Sequence, residues 1–115
     1  MNTATTLVPT YYLLLTFEIT KEQEALFNDI YDTEHAPYIL QVPGVHSCIR
    51  LQDASPNSDG MLIYSTLYQF DQPELPHSEA WKQASNRGRW KDMIRPYLKS
   101  IERRQGLVVA RYQAE

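Results

Sequence analysis

The chain lacks most of what would point to a partner or a compartment other than the reducing cytoplasm. It has one cysteine, Cys48, in 115 residues, so no internal disulfide can form. None is needed, because a chain this long buries roughly two-thirds of its unfolded surface. Basic residues are not in excess. Lys plus Arg number 11 against 14 Asp plus Glu, a formal net charge of −3. No broad basic face is expected, and nucleic acid is excluded as a natural partner. Long apolar runs are absent. The stretch Leu13 to Phe17 is far too short to span a bilayer. Met1 to Thr10 has no basic segment ahead of an apolar one, so no secretion signal is expected. No stretch is of low complexity, and none repeats at solenoid spacing. A soluble cytoplasmic protein that stays off membranes is the reading that remains.

Aromatic residues are plentiful, with 8 tyrosines. Tyrosine joins apolar bulk to a polar tip, which suits pockets and interfaces as well as cores. Hydrophobic periodicity gives the organisation. Residues 1–9 are small and polar and read as a flexible arm; residues 10–115 read as one domain. Tyr11 to Ile19 alternates, with Tyr11, Leu13, Leu15, Phe17 and Ile19 on one face of a strand and Tyr12, Leu14, Thr16 and Glu18 on the other. Thr20 is placed to cap a helix, with Gln23 three residues on. That helix carries Leu26, Phe27, Ile30 and Tyr31 on one stripe. At helical spacing Glu34 falls near the middle of the stripe and His35 at its edge. Pro37 lacks an N–H and clashes with the carbonyl of Thr33, so the helix must kink or restart there. Pro43-Gly44 stops it.

Val45 to Gln52 and Met61 to Phe70 are two further strands, joined by the turn-rich segment Asp53 to Gly60 as an antiparallel hairpin. A second helix is expected from about Pro76 to Ser78 onward, interrupted at Gly88 and ending near Pro96. Ile101 to Tyr112 is the last strand, with Gly106 as a candidate bulge. The order is strand, helix, strand, strand, helix, strand. This is the ferredoxin-like βαββαβ arrangement, an α+β fold with a four-stranded antiparallel sheet and helices on one face. If Tyr12, Leu14, Cys48, Tyr64, Tyr68 and Phe70 lie on the uncovered face, it is too apolar for water. A homodimer packing sheet to sheet then covers it.

The segment Asp32-x-Glu34-His35-x-Pro37, then Val42-Pro43-Gly44-Val45, a hairpin and a Trp-bearing second helix, resembles the dimeric α+β barrel superfamily. Within it the chain is most similar to EthD-like proteins, over about residues 10 to 113. The resemblance implies a cleft between sheet and helices that holds a small aromatic, polyketide-like or lactone ligand. It also implies a histidine facing that cleft, which marks His35. Relatives include cyclases, dehydratases, decarboxylases, isomerases, cofactor-free oxygenases and proteins without known activity. No haem-ligand pattern is present, and no cofactor is expected.

The residues themselves offer this chemistry. His35 beside a kinked helix end can be partly desolvated and serve as general base or acid, with Tyr31 and Tyr38 one turn away on either side to orient it. The competing role for His35 is a cap on a freed backbone carbonyl. His46 and Cys48, two apart, share a strand face that Arg50 joins. Arg50 is then a candidate for stabilising an oxyanion. His46-x-Cys48 supplies two metal ligands at most, so no metal site is expected. Tyr12, Tyr38, Tyr64 and Tyr68, with His46 and Cys48, are candidate substrate contacts. Glu18 is expected to pair with Arg50 across the sheet. Trp81 and Trp90 read as core or interface bulk. Two functions stay open: a cofactor-free enzyme that moves a proton in cyclisation, dehydration, isomerisation or decarboxylation, and a homodimer that binds the same ligand without chemistry. A cofactor-free monooxygenase is a third.

Overall fold

The computed structural model describes the backbone of residues 3–5 and 9–115. In chain order the regular elements are β1 (Thr3–Thr5), β2 (Tyr11–Ile19), α1 (Lys21–Ile30), α2 (Ala36–Leu40), β3 (Val45–Gln52), β4 (Leu62–Phe70), α3 (Glu79–Ser85), β5 (Lys99–Leu107) and β6 (Arg111–Gln113). Two π-helical turns, Tyr31–His35 and Trp90–Ile94, follow α1 and α3. The main sheet has the order β3-β4-β2-β5, every pair antiparallel. This is the expected ferredoxin-like α+β fold. The last strand is divided, because β5 ends at Leu107 and β6 pairs separately with β1. Of the arm expected at residues 1–9, positions 1, 2 and 6–8 lie outside the described residues, and Thr3–Thr5 is paired with β6. Among the described residues no helix is long and apolar enough to cross a membrane.

Strand pairing decides the faces. Leu13 lies opposite Tyr68, Phe17 opposite Tyr64, and Tyr11 opposite Phe70. All six therefore look toward the helices, and Tyr64, Tyr68 and Phe70 are buried in the core. Cys48 pairs with Tyr68 and shares this face. Those four residues do not belong to the uncovered side, a choice that alternation alone leaves open. The uncovered side carries Tyr12 and Leu14 from β2, Ile49 and Leu51 from β3, and Ile63 and Leu67 from β4. It is still apolar: Ile49 is 48% and Leu51 50% exposed.

Two bulges explain the rest of the reassignment. β3 shifts register between Val45 and Ser47, leaving His46 as the unpaired extra residue. His46 and Cys48 therefore do not share a face, and His46 is exposed. β5 shifts register at Ile101, between Glu102 and Ser100. Gly106 is not a bulge. It lies opposite Tyr12, whose ring rests on it so closely that a Cβ there would stand 2.8 Å from Cε1. Glu18, on the uncovered side, meets Lys99 at 3.3 Å and accepts a hydrogen bond from Asn57. Arg50 is on the opposite face, so the expected Glu18–Arg50 pair does not form.

The first helix is begun by Thr20, whose hydroxyl accepts from the Gln23 amide at 3.3 Å. Its inner face runs Phe27, Ile30, Tyr31, then His35, Ala36 and Ile39, all buried. An uninterrupted α-helix would place Glu34 inside after Ile30 and Tyr31. The π turn ahead of Pro37 adds one residue to that turn, with the Ala36 amide donating to the Tyr31 carbonyl. The phase advances by one residue, so His35 turns inward and Glu34 outward. Glu34 then accepts from the Arg89 amide at 2.8 Å and from Arg89 Nε at 2.5 Å, which holds its carboxyl below the usual carboxylate range. Arg89 also reaches Asp29 at 3.0 Å. Gly88 has φ +71°, and a Cβ there would clash with Glu34 Oε1 and stand 3.0 Å from the Tyr38 ring.

Gly60 shares the left-handed backbone, with φ +77°, but has open space around it. Gly60→Ala should therefore cost only the backbone term, about 1 kcal/mol. Gly88→Ala adds the clash with a clamped carboxylate and should cost about 2–4 kcal/mol. Urea midpoints of the two variants check the ordering; equal losses would show that Glu34 yields freely.

Candidate active-site cleft

The helix-facing core falls into two clusters. One holds Phe17, Phe27, Ile30, Tyr31, Tyr64, Trp90 and Ile94. The other holds Leu13, Ile39, Val42, Tyr68, Phe70 and Trp81. A cleft of about 500 Å³ opens at the seam between them, within the size range of small-molecule sites. Leu13, Leu15 and Phe17 form its floor, and Trp81 and Trp90 contribute one wall from each cluster. Its mouth is set by exposed Lys82, Arg95 and Arg103.

His35 stands in the inner wall, only 4% exposed. Its ring stacks on Trp90 with centroids 3.9 Å apart and planes 14° apart, and Tyr31 meets it edge-on at 5.0 Å. Its Nδ1 is buried without a hydrogen-bond partner among the described residues, so the carbonyl-capping role does not occur. An indole face favours an imidazolium. Loss of water and the nearby Arg95 charge outweigh that, and the His35 pKa is pushed down to about 3. The ring is neutral at physiological pH.

Behind it runs a buried polar chain. The Tyr31 and Tyr68 hydroxyls are 3.0 Å apart; Tyr31 also bonds Thr66, and Tyr68 also bonds Cys48. Burial raises the Tyr31 pKa to about 12 and the Cys48 pKa to about 11, and moves Tyr68 well up. All three keep their protons at neutral pH. Cys48 is a hydrogen-bonding partner, not a thiolate nucleophile, and with His46 in the bulge no Cys–His pair forms.

Of the residues expected in the site, His35 and Tyr68 line the cleft and Tyr31 backs it. Arg50 is elsewhere. It bonds Asp32 at 2.6 Å and Asn28 at 2.8 Å, and lies over the Tyr31 ring from the side away from the cleft, 4.6 Å from its centroid. It fastens β3 to α1 and does not line the cleft. Tyr64 donates to Glu24 at 2.5 Å and accepts from Asn28 at 3.3 Å. Tyr38 sits on the outer side of α2 under Arg87, and Tyr12 is on the opposite face of the sheet. Neither Tyr38 nor Tyr64 orients His35; packing against Trp90 and Tyr31 does. Sequence reasoning missed Lys82, Arg95 and Arg103; both tryptophans are core bulk, as expected, and also line the cleft. Only the strand phase of Arg103 could have signalled a site, and the bulge at Ile101 hides that phase. Among the described residues no three His, Cys, Asp or Glu side chains gather to hold a metal.

No protein-family model matches the chain, and no curated protein sequence matches it. Solved structures do. An ethyl tert-butyl ether D (EthD) family protein from Bacillus halodurans is similar with TM-score 0.57 and 16% identity, over 85% of this chain and 96% of that one. A dimeric ferredoxin-like protein from an uncultured marine organism is similar with TM-score 0.60 and 14% identity, over 88% and 96%. At such identity the likeness establishes the fold, which is the ferredoxin-like α+β arrangement seen in EthD-type structures.

The buried neutral His35 has a consequence for stability. Below the unfolded value near 6.5 the unfolded chain takes up a proton that the folded chain refuses, so stability falls as pH drops toward 3. Between pH 7 and pH 5 this should amount to about 2 kcal/mol. His35→Gln should lose stability less steeply across that window, by about that amount. Urea unfolding at the two pH values tests it; parallel profiles for both proteins would mean His35 is solvated.

Proposed function

We propose that the chain is a homodimeric enzyme that moves a proton on a planar, carbonyl-bearing small molecule of aromatic, polyketide-like or lactone type, with no cofactor. The observation that carries this reading is a neutral imidazole, stacked on Trp90, in the wall of an aromatic cleft. A planar ligand ring would enter the cleft that Trp81 and Trp90 help to line, where aromatic contact orients it. His35 takes a proton from a carbon next to the carbonyl, and the C–H electron pair moves onto the carbonyl oxygen. Tyr68 is protonated and lines the same cleft. Its hydroxyl is buried against that of Tyr31, so it contributes wall and leaves the developing enolate to groups at the open side of the cleft. Return of the proton to another atom gives isomerisation. Return to a departing hydroxyl gives dehydration.

The dimer rests on the uncovered sheet face. Among the described residues, the hydrogen bonds that reach that face from outside the sheet are at its ends: Asn57 at Glu18, and Arg111 at Gln69. Leu14, Ile49, Leu51 and Leu67 between them need a second copy. The dimeric marine ferredoxin-like protein supports the same assembly here. A single unpaired cysteine fits a cytoplasmic location. A second reading, binding without turnover, draws support from the low His35 pKa and from the lack of a hydrogen-bond partner to orient the ring.

Two measurements test the proposal. In a screen of phenolic, polyketide-like and lactone substrates, His35→Gln should lower kcat by about 10²–10⁴-fold while ligand binding persists; undiminished turnover would leave only the binding role. Ile49→Asp with Leu51→Asp should convert a dimer to a folded monomer by sedimentation velocity, whereas a wild-type monomer at micromolar concentration would remove the sheet-to-sheet assembly.

A further inference from the structure

The charge of the cleft mouth does not follow from the composition. Acids outnumber bases in the chain, yet Lys82, Arg95 and Arg103 line the cleft and no carboxylate does. Four other cations are paired with acids: Arg50 with Asp32, Arg89 with Asp29 and Glu34, Lys99 with Glu18, Arg104 with Glu102. Among the described residues Lys21, Arg87, Lys91 and Arg111 are not, but they line no cleft with His35. The cations at the mouth have no acid partner either. Arg95 is aimed by neutral acceptors alone, Asn86 Oδ1 at 2.8 Å, Ser85 Oγ at 3.0 Å and the Ser85 carbonyl at 3.3 Å. It therefore keeps its orientation and its uncompensated charge. Lys82 and Arg103 form no ion pair among the described residues. They come from α3 and β5, on opposite sides of the opening.

We propose that the ligand of this cleft is a carboxylate, its apolar ring held in the cleft that Trp81 and Trp90 line and its anionic group bound at the mouth by Arg95 and Arg103, with Lys82 adding charge. This deepens the reading of the cleft as a small-molecule site and rests on it. Fixed guanidinium groups without acidic partners are the usual means of holding a carboxylate, by charge-assisted hydrogen bonds. The arrangement also bears on His35. Arg95 is the charged group that acts on its ring and Tyr31 meets it edge-on; Lys82, Arg103 and Tyr68 line the same cleft. A bound carboxylate offsets Arg95, one of the two causes that hold the imidazole unprotonated, so the ligand itself makes His35 a stronger base. Neutral analogues of equal shape do not.

Matched acid and amide pairs separate the inference from the reading beneath it. 2-Naphthoate with 2-naphthamide, cinnamate with cinnamamide and benzoate with benzamide are titrated into the full chain, following tryptophan fluorescence. At low salt the acids should bind about tenfold or more tightly than their amides, and added salt should shrink the ratio. Arg95→Gln combined with Arg103→Gln should shrink the ratio at least fivefold while the amides still bind, which also shows that the variant is folded. By NMR, the His35 ring should titrate at higher pH in the acid complex than in the amide complex. Equal affinities within the pairs, or a preference that the double substitution shrinks less than fivefold, would overturn the carboxylate assignment and leave the cleft reading standing. Failure of every acid and every amide to bind at millimolar concentration would overturn both.

Discussion

One extra residue in the first long helix governs this molecule. Pro37 cannot donate to the carbonyl ladder, and the helix accommodates it by widening into a π turn over Tyr31–His35. That turn changes which side chains point inward. Without it a carboxylate would enter the core and the imidazole would lie at the margin. With it, Glu34 faces outward to grip Arg89, and His35 faces inward against Trp90. Both contacts act on the same loop, since Arg89 and Trp90 are adjacent. The Glu34 clamp therefore sets where the tryptophan stands, and the tryptophan sets the histidine.

The same segment reaches a third element. Asp32 holds Arg50, which lies over Tyr31 and close to Phe27 and Tyr64. Within four residues of one helix, Asp32, Glu34 and His35 thus fasten β3, the Gly88–Arg89 loop and the Trp90 turn. The two core clusters are drawn toward this helix from either side without merging. The seam left between them is the cleft. Its apolar floor comes from β2 and its walls from the tryptophans. Its cations come from α3, from the turn after Trp90–Ile94 and from β5.

Much of the fold was legible because period-2 and period-3.6 patterns are local. The alternation from Tyr11 to Ile19, the Thr20 cap and the turn-rich hairpin loop all led to the observed elements. So did the importance of His35, a histidine beside a helix-breaking proline. Errors entered wherever a residue was inserted without a compositional mark. The bulge at His46 broke its expected partnership with Cys48, and the bulge at Ile101 concealed that Arg103 faces the cleft. The side taken by Tyr64, Tyr68 and Phe70 stays open in the sequence, because alternation along one strand does not say which face meets the helices; pairing with β2 turns them inward. Arg50 was expected at an oxyanion, yet it serves to join strand and helix, because Asp32 and Asn28 were nearer than any ligand.

The linear order of residues by itself determined the order of elements, the antiparallel ferredoxin-like sheet and the presence of one uncovered apolar side, since each follows from patterns within a dozen neighbours. Only the tertiary structure decided which rings share the helix face, which cations lack an acid, and where a cleft remains. Those properties depend on register across strands and on phase across a π turn. A single inserted residue changes either one while leaving local composition as it was.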